Sequence, residues 1–167
     1  IYMKSVKIRD TIIGNGAKIA IQSMLNVPTT DTGAAIDCIL RLADEGCDII
    51  RLAVPDAAAA RAMKEITAAS PIPVVADIHF DYRLALACID NGVDKIRINP
   101  GNLGGADKAA AVAKAANAAK IPIRIGINGG SLEKGLLERC GGDLALAMVE
   151  SAQGHIDILN RCDFNDI

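Results

Sequence analysis

Glu45-Gly46-Cys47-Asp48-Ile49-Ile50-Arg51 returns, nearly position for position, as Asn91-Gly92-Val93-Asp94-Lys95-Ile96-Arg97. Each phrase reads as the end of a helix, a glycine exit, an aspartate, an apolar strand and an arginine. A strand-then-helix unit that recurs in this way builds a parallel sheet with helices on its outside. Outward from these two phrases, the same rhythm predicts strands over 19–24, 48–54, 73–79, 95–99 and 121–127. Helices are predicted over 31–45, 56–69, 82–91, 106–119 and 131–160, the last broken around Gly141-Gly142, with Asp56 a candidate N-cap. Phe164 to Ile167 reads as the approach to a sixth strand, and Val6–Ile13 with the Gly14-Asn15-Gly16 turn as a small hairpin ahead of the sheet.

Units of roughly 22 to 30 residues suit a (β/α)8 barrel better than a doubly wound sheet. No G-x-G-x-x-G follows the first strand, which also disfavours the second arrangement. The expected fold is therefore α/β, a parallel TIM-barrel type, incomplete at about five of eight units, over residues 1–167. The chain reads as the first two-thirds of a barrel. An open arc leaves its first and fifth strands as unpaired edges, so association through those edges is expected.

With 18 basic and 20 acidic side chains the net charge is -2, and there is no tryptophan. That balance disfavours a duplex-binding surface, and the scarcity of aromatics disfavours a stacking platform, so no nucleic-acid partner is expected. No apolar run reaches the ~20 residues of a membrane span, and the N-terminus lacks a signal-peptide core; a cytoplasmic protein is expected. The five cysteines, Cys38, Cys47, Cys88, Cys140 and Cys162, form no C-x-x-C pair and read as small buried residues rather than a metal or iron–sulfur site.

Three strands carry an arginine inside an apolar run: Ile50-Arg51-Leu52, Ile96-Arg97-Ile98 and Ile123-Arg124-Ile125. A buried guanidinium is costly without a counter-charge. One shared phosphate or diphosphate would serve all three, and its geometry suits the planar fork of Arg. Side chains alternate across a strand, so Gln22 with Met24, Ile49 with Arg51 and Ala53, Asp77 with His79, Lys95 with Arg97 and Asn99, and Arg124 with Gly126 and Asn128 share the polar face. That face becomes polar toward the C-terminal strand ends, where barrel active sites lie. Gly126 leaves room for a ligand. The turns Asn99–Gly105 and Asn128–Ser131 run into helix starts and would offer N–H groups to an oxyanion.

Plainer readings stand beside these. Asp77 can neutralise one arginine but not three. Lys95 belongs at the barrel floor in a structural pair. His79 can be a core histidine, although its place two residues after Asp77 favours substrate contact. His155 is expected to be solvated on a polar helix face, Met24 to pack, and Asp81 with Arg83 to cap a helix.

Ile21-Gln22-Ser23-Met24, Arg51-Leu52-Ala53-Val54-Pro55-Asp56, Val75-Ala76-Asp77-Ile78-His79-Phe80-Asp81-Tyr82-Arg83, Lys95-Ile96-Arg97-Ile98-Asn99-Pro100-Gly101-Asn102 and Ile123-Arg124-Ile125-Gly126-Ile127-Asn128 occur in order along the chain. Together they resemble the barrel domain of the 4-hydroxy-3-methylbut-2-enyl diphosphate synthase family. The resemblance implies an oxidoreductase of non-mevalonate isoprenoid biosynthesis. Its substrate is 2-C-methyl-D-erythritol 2,4-cyclodiphosphate, which it reductively opens and dehydrates with two electrons from ferredoxin or flavodoxin. It further implies a [4Fe-4S] cluster held by a separate C-terminal domain that this chain lacks, and a homo-oligomer. On this resemblance Arg51, Arg97 and Arg124 hold the cyclodiphosphate, and Asp77, His79, Asn99 and Asn128 line the same mouth. No cluster is expected in this chain, and it is expected to be inactive alone. Two other readings are a pterin-synthase-like phosphate-binding barrel and a non-catalytic anion-binding module.

Overall fold

The computed structural model describes residues 4–99, 103 and 105–167, with backbone only at 106 and 131. The chain opens with an antiparallel hairpin, β1 Ser5–Ile8 and β2 Thr11–Gly14. Five parallel strands follow in the order β3-β4-β5-β6-β7: Gln22–Met24, Ile49–Ala53, Val74–Ile78, Lys95–Ile98 and Ile123–Ile125. Helices α1 Thr32–Asp44, α2 Ala57–Ala69, α3 Tyr82–Asp90 and α4 Ala106–Ala119 connect them, each packed on the next. A short α5, Leu136–Arg139, and α6, Leu144–Asn160, come after β7.

The sequence repeat has a structural counterpart. Gly46 (φ 90) and Gly92 (φ 83) turn the chain out of α1 and α3. The following aspartates then perform one task twice. The N–H of Asp48 donates to Ile21 O and that of Asp94 to Val74 O. Their carboxylates accept the N–H of Ile21 and of Val74, both at 2.8 Å. Each aspartate thus fixes the register of a new strand against its neighbour. Aspartates also start the helices: Asp31, Asp56, Asp81 and Asp143 accept N–H groups of Ala34, Ala59, Arg83 and Leu146. Such a cap stabilises a helix by about 1 kcal/mol.

The outward face of the sheet carries Ile50, Leu52, Val74, Ala76, Ile78, Ile96, Ile98 and Ile123, packed on Ile39, Met63, Ile66, Cys88, Val112 and Ala116 of the helices. The inward face is closed at its base by the hairpin, where Ile8 packs against Ile49 and Val75.

Three expectations change. The hairpin reverses at Arg9-Asp10, and Gly14-Asn15-Gly16 follows β2 with φ values of 88, 49 and 78. Arg9 holds a φ of 50 because its guanidinium is anchored far away in sequence. It donates to Ser70 O at 3.0 Å and to Ile72 O, and lies 3.4 Å from Asp94 Oδ2. The outermost strands are shorter than predicted: β3 begins at Gln22 with Ile19 88% exposed, and β7 covers three residues. An edge strand has a partner on one side only, so its ends fray from the ladder. The tail forms no strand, although the N–H of Ile123 donates to Asp166 O at 2.9 Å and Phe164 is buried.

Candidate anion site on the inner face of the sheet

The parallel register sets Asp77, Arg97 and Arg124 side by side on β5, β6 and β7. Side chains at paired positions point to the same face, so two-residue alternation places all three inward. Arg51 on β4 stands beside Val75, one step toward the floor.

Asp77 is 1% exposed and organises the row. Arg51 donates to its Oδ2 through Nε at 3.0 Å and Nη2 at 2.5 Å. Arg97 donates to Oδ1 through Nη1 at 3.0 Å, and His79 Nε2 lies 3.1 Å from Oδ2. The carboxylate therefore serves two arginines and a histidine, where the sequence reading allowed it one arginine. Burial alone would raise the Asp77 carboxyl; the Arg51 hydrogen bond, the charges of Arg97 and Arg51 and the His79 bond outweigh it and hold the group below the usual carboxylate range.

Gly126 has a different reason from the one the sequence suggested. A Cβ there would fall 2.1 Å from Arg97 Nε and 2.5 Å from Cζ. The space beside β7 is already filled by the Arg97 guanidinium, which lies across the strand and is held against Asp77. Arg124 is exposed and, among the described residues, has no carboxylate at ion-pair distance.

The remaining candidates lie at the C-terminal strand ends. Asn99 is buried after β6. Asn128 is exposed and accepts the N–H of Gly130 at 3.1 Å, capping the 3-10 turn Gly129–Ser131. His79 is half exposed, edge-on to Phe80 at 6.0 Å, and Phe80 is 71% exposed. Residues 100–102 and 104 of the Asn99–Gly105 turn lie outside the described residues.

Two groups escaped the sequence reading. Lys95 faces inward at the floor as expected, but its pair is the neutral Gln22 Oε1 at 3.4 Å and no carboxylate. Burial, then the like charges of Arg124 and Arg51, push its ammonium down to about 8. His155, expected to be solvated, is 7% exposed on α6, with Nε2 2.7 Å from Glu133 Oε1. Ser151, one turn earlier, donates to the same oxygen at 3.0 Å. Burial keeps His155 below the ordinary histidine range against the pull of Glu133, so the pair fastens the loop after β7 to α6.

Residues 3–167 match the GcpE TIM-barrel domain. The chain is 53% identical to the 4-hydroxy-3-methylbut-2-en-1-yl diphosphate synthase (flavodoxin) of Ruminiclostridium cellulolyticum, over 98% of this chain and 46% of that protein. It is 51% identical to the protein of the same name from Clostridium tetani, over 97% of this chain and 46% of the relative. The chain thus spans somewhat less than half the length of these curated relatives. Among solved structures, dihydropteroate synthase from Vibrio fischeri superposes with a TM-score of 0.67 at 13% identity, covering 95% of this chain and 62% of that one. The Yersinia pestis enzyme gives 0.65 at 10% identity, covering 97% and 59%. At such identities the likeness speaks for the fold, a TIM barrel of which five parallel strands are present here. With its family model matched along almost its whole length and its relatives matched at half of all positions, the chain belongs to the GcpE TIM-barrel domain family.

Proposed function

We propose that this chain is the diphosphate-binding barrel portion of a 4-hydroxy-3-methylbut-2-enyl diphosphate synthase. The observation that carries the reading is the charge of the inner face. Among the described residues of the strands, Arg51, Lys95, Arg97 and Arg124 face inward against a single carboxylate, Asp77. A surplus of interior cations is stable only with an anion, and a cyclic diphosphate supplies one of the right charge. Arg51, Arg97 and Arg124 bind the phosphoryl oxygens, Asp77 fixes the two arginine forks, and His79, Asn99 and Asn128 complete the mouth.

On the family resemblance, the reaction opens the cyclodiphosphate, takes up two electrons and releases water, with ferredoxin or flavodoxin as donor, the latter being the one in the relatives' name. The residues of this chain do not fit an iron–sulfur cluster. Cys47 and Cys88 are buried apart, burial pushes the Cys88 thiol up to about 12, and no three metal-ligating side chains gather among the described residues. The redox step therefore belongs to a [4Fe-4S] domain outside these residues, and the barrel contributes positioning and charge neutralisation. The open edges at β3 and β7 favour assembly, consistent with a homo-oligomer. No helix among the described residues is long and apolar enough to cross a membrane.

Calorimetric titration of the chain with the cyclodiphosphate, beside Arg97→Ala, tests this. Saturable binding weakened by about 2 kcal/mol or more in the variant is expected. Equal affinity in both proteins would remove the arginine row from the site.

A further inference from the structure

Lys95 stands where a lysine is hard to keep. It is 6% exposed on the inner face of β6, two residues below Arg97, and its polar contact is the Gln22 amide oxygen at 3.4 Å. Among the described residues no side-chain carboxylate lies at ion-pair distance from it, and the chain's last residue, Ile167, borders the same cleft. β3 brings Gln22, β4 brings Arg51, and β7 brings Arg124. The Asp77 carboxylate of β5 is taken by Arg51, Arg97 and His79. The hairpin offers Val6 and Ile8, and α6 offers Ala152 and Ile156, all apolar. Lys18, which borders the same space, is engaged with Asp48 at 3.5 Å.

Several of the other cations have a carboxylate partner. Arg9 has Asp94, Lys18 has Asp48, Arg83 has Asp81 and Arg51 has Asp77. Lys95 and Arg124 are the inward-facing pair left without one among the described residues. Both line a single cleft of about 810 Å³ whose walls are otherwise mostly aliphatic. Low polarity around the buried Lys95 ammonium, beside the like charge of Arg124, strengthens its demand for an anion.

We propose that Lys95 forms an inner phosphoryl contact one step toward the floor from the Asp77–Arg97–Arg124 row, so that a bound diphosphate held by Arg124 and its neighbours reaches from the strand ends toward the floor of the sheet. This rests on the diphosphate reading above and deepens it. The arginine row grips one phosphoryl group by its planar forks, and Lys95 meets the other as a compact point charge. Because burial and the charges of Arg124 and Arg51 bring the free ammonium down to about 8, filling the contact draws a proton onto Lys95 at alkaline pH.

The test is calorimetry of the 167-residue chain with inorganic pyrophosphate, for the unaltered protein, Lys95→Met and Arg97→Ala. At pH 7, Lys95→Met is expected to weaken binding about tenfold or more. At pH 8.5, titrations in two buffers of different ionisation heat are expected to show more proton uptake by the unaltered chain than by Lys95→Met. Loss of a buried charge is expected to leave the melting temperature of Lys95→Met at or above that of the parent, and Lys95→Gln serves as the second variant if the first does not fold. Affinity and proton uptake unchanged in the Lys95 variants, with affinity lost in Arg97→Ala, would overturn the inner contact and leave the diphosphate reading standing. No pyrophosphate binding by the unaltered chain would overturn both.

Discussion

Asp77 and Glu133 are both carboxylates that gather basic partners, yet they have opposite consequences. Asp77 collects two arginines and a histidine on the inner face of the sheet. Glu133 collects Ser151 and His155 where the loop after β7 meets α6. The difference lies in what the partners have left to give. A guanidinium carries five N–H donors in a fixed fork. Arg97 spends one nitrogen on Asp77, and Arg51 spends two. Both keep donors free for a ligand, and both are aimed. Ser151 has a single donor, already given to Glu133, and His155 is buried against the same carboxylate. One carboxylate orients charge for use, and the other closes a seam.

Removing Asp77 should therefore have the largest effect. Asp77→Ala leaves the half-buried Arg51 and Arg97 without their counter-ion; breaking a fully buried pair typically costs about 3–5 kcal/mol, and the loss here is expected toward the lower end. Chemical denaturation at pH 7 would measure it, and a loss under about 1 kcal/mol would show that solvent screens the row and break the contrast. The pH dependence sharpens the point. The folded-state value of Asp77 is depressed, so its stabilisation is present above the unfolded value near ~3.9 and is lost as pH falls through the folded value. The variant should lack that part of the acid transition.

Much of this region was legible because a strand alternates with period two. The inward positions of Arg51, Asp77, Lys95, Arg97 and Arg124 follow from counting along apolar runs, and the repeated Gly-x-Asp phrases set the parallel order. The seam on α6 was not legible by the same logic. Its buried positions are Ala147, Ser151, His155 and Leu159, whereas Leu144, Leu146 and Val149 are exposed. The helix inverts the usual rule that the apolar stripe faces inward. A serine and a histidine four residues apart, downstream of a loop glutamate, were the available signal. The hairpin turn was hidden for another reason. The left-handed Arg9 is fixed by Ser70, Ile72 and Asp94, and no local pattern contains those contacts. Lys95 was placed at the right depth but given a partner the fold does not provide, because pairing across strands cannot be counted from one strand.

The seat of Arg97 gives the next effect in size. Gly126→Ala would push a methyl group into the guanidinium, at 2.1 Å from Nε, while the backbone there needs no left-handed conformation. The cost is one of displacement, typically about 1–3 kcal/mol. Because Arg97 moves off Asp77, anion affinity should fall with stability. Gly129→Ala is the internal control: its added methyl would meet only the Leu144 side chain, at 3.1 Å and beyond, so affinity should hold. Equal losses of affinity in both variants would mean that general loosening of the β7 end governs binding, and that the Arg97 seat does not.

The smallest effect is expected at the seam. Glu133→Gln keeps the length and one acceptor oxygen, so the Ser151 hydrogen bond can persist, and it removes the charge beside His155. Burial keeps His155 below its ordinary range, so at pH 7 the contact is a close approach of a carboxylate to an uncharged ring. Its replacement should cost about 1 kcal/mol in denaturation. Pyrophosphate affinity should stay at the parent value, because Ser151 and His155 turn to Glu133 and do not line the inner cleft. A fall in affinity comparable to that of Gly126→Ala would erase the distinction between the two carboxylates. The β7 loop, and Asn128 with it, would then be positioned for the ligand by α6, and the anion site would extend from the strand ends into the helix layer behind them.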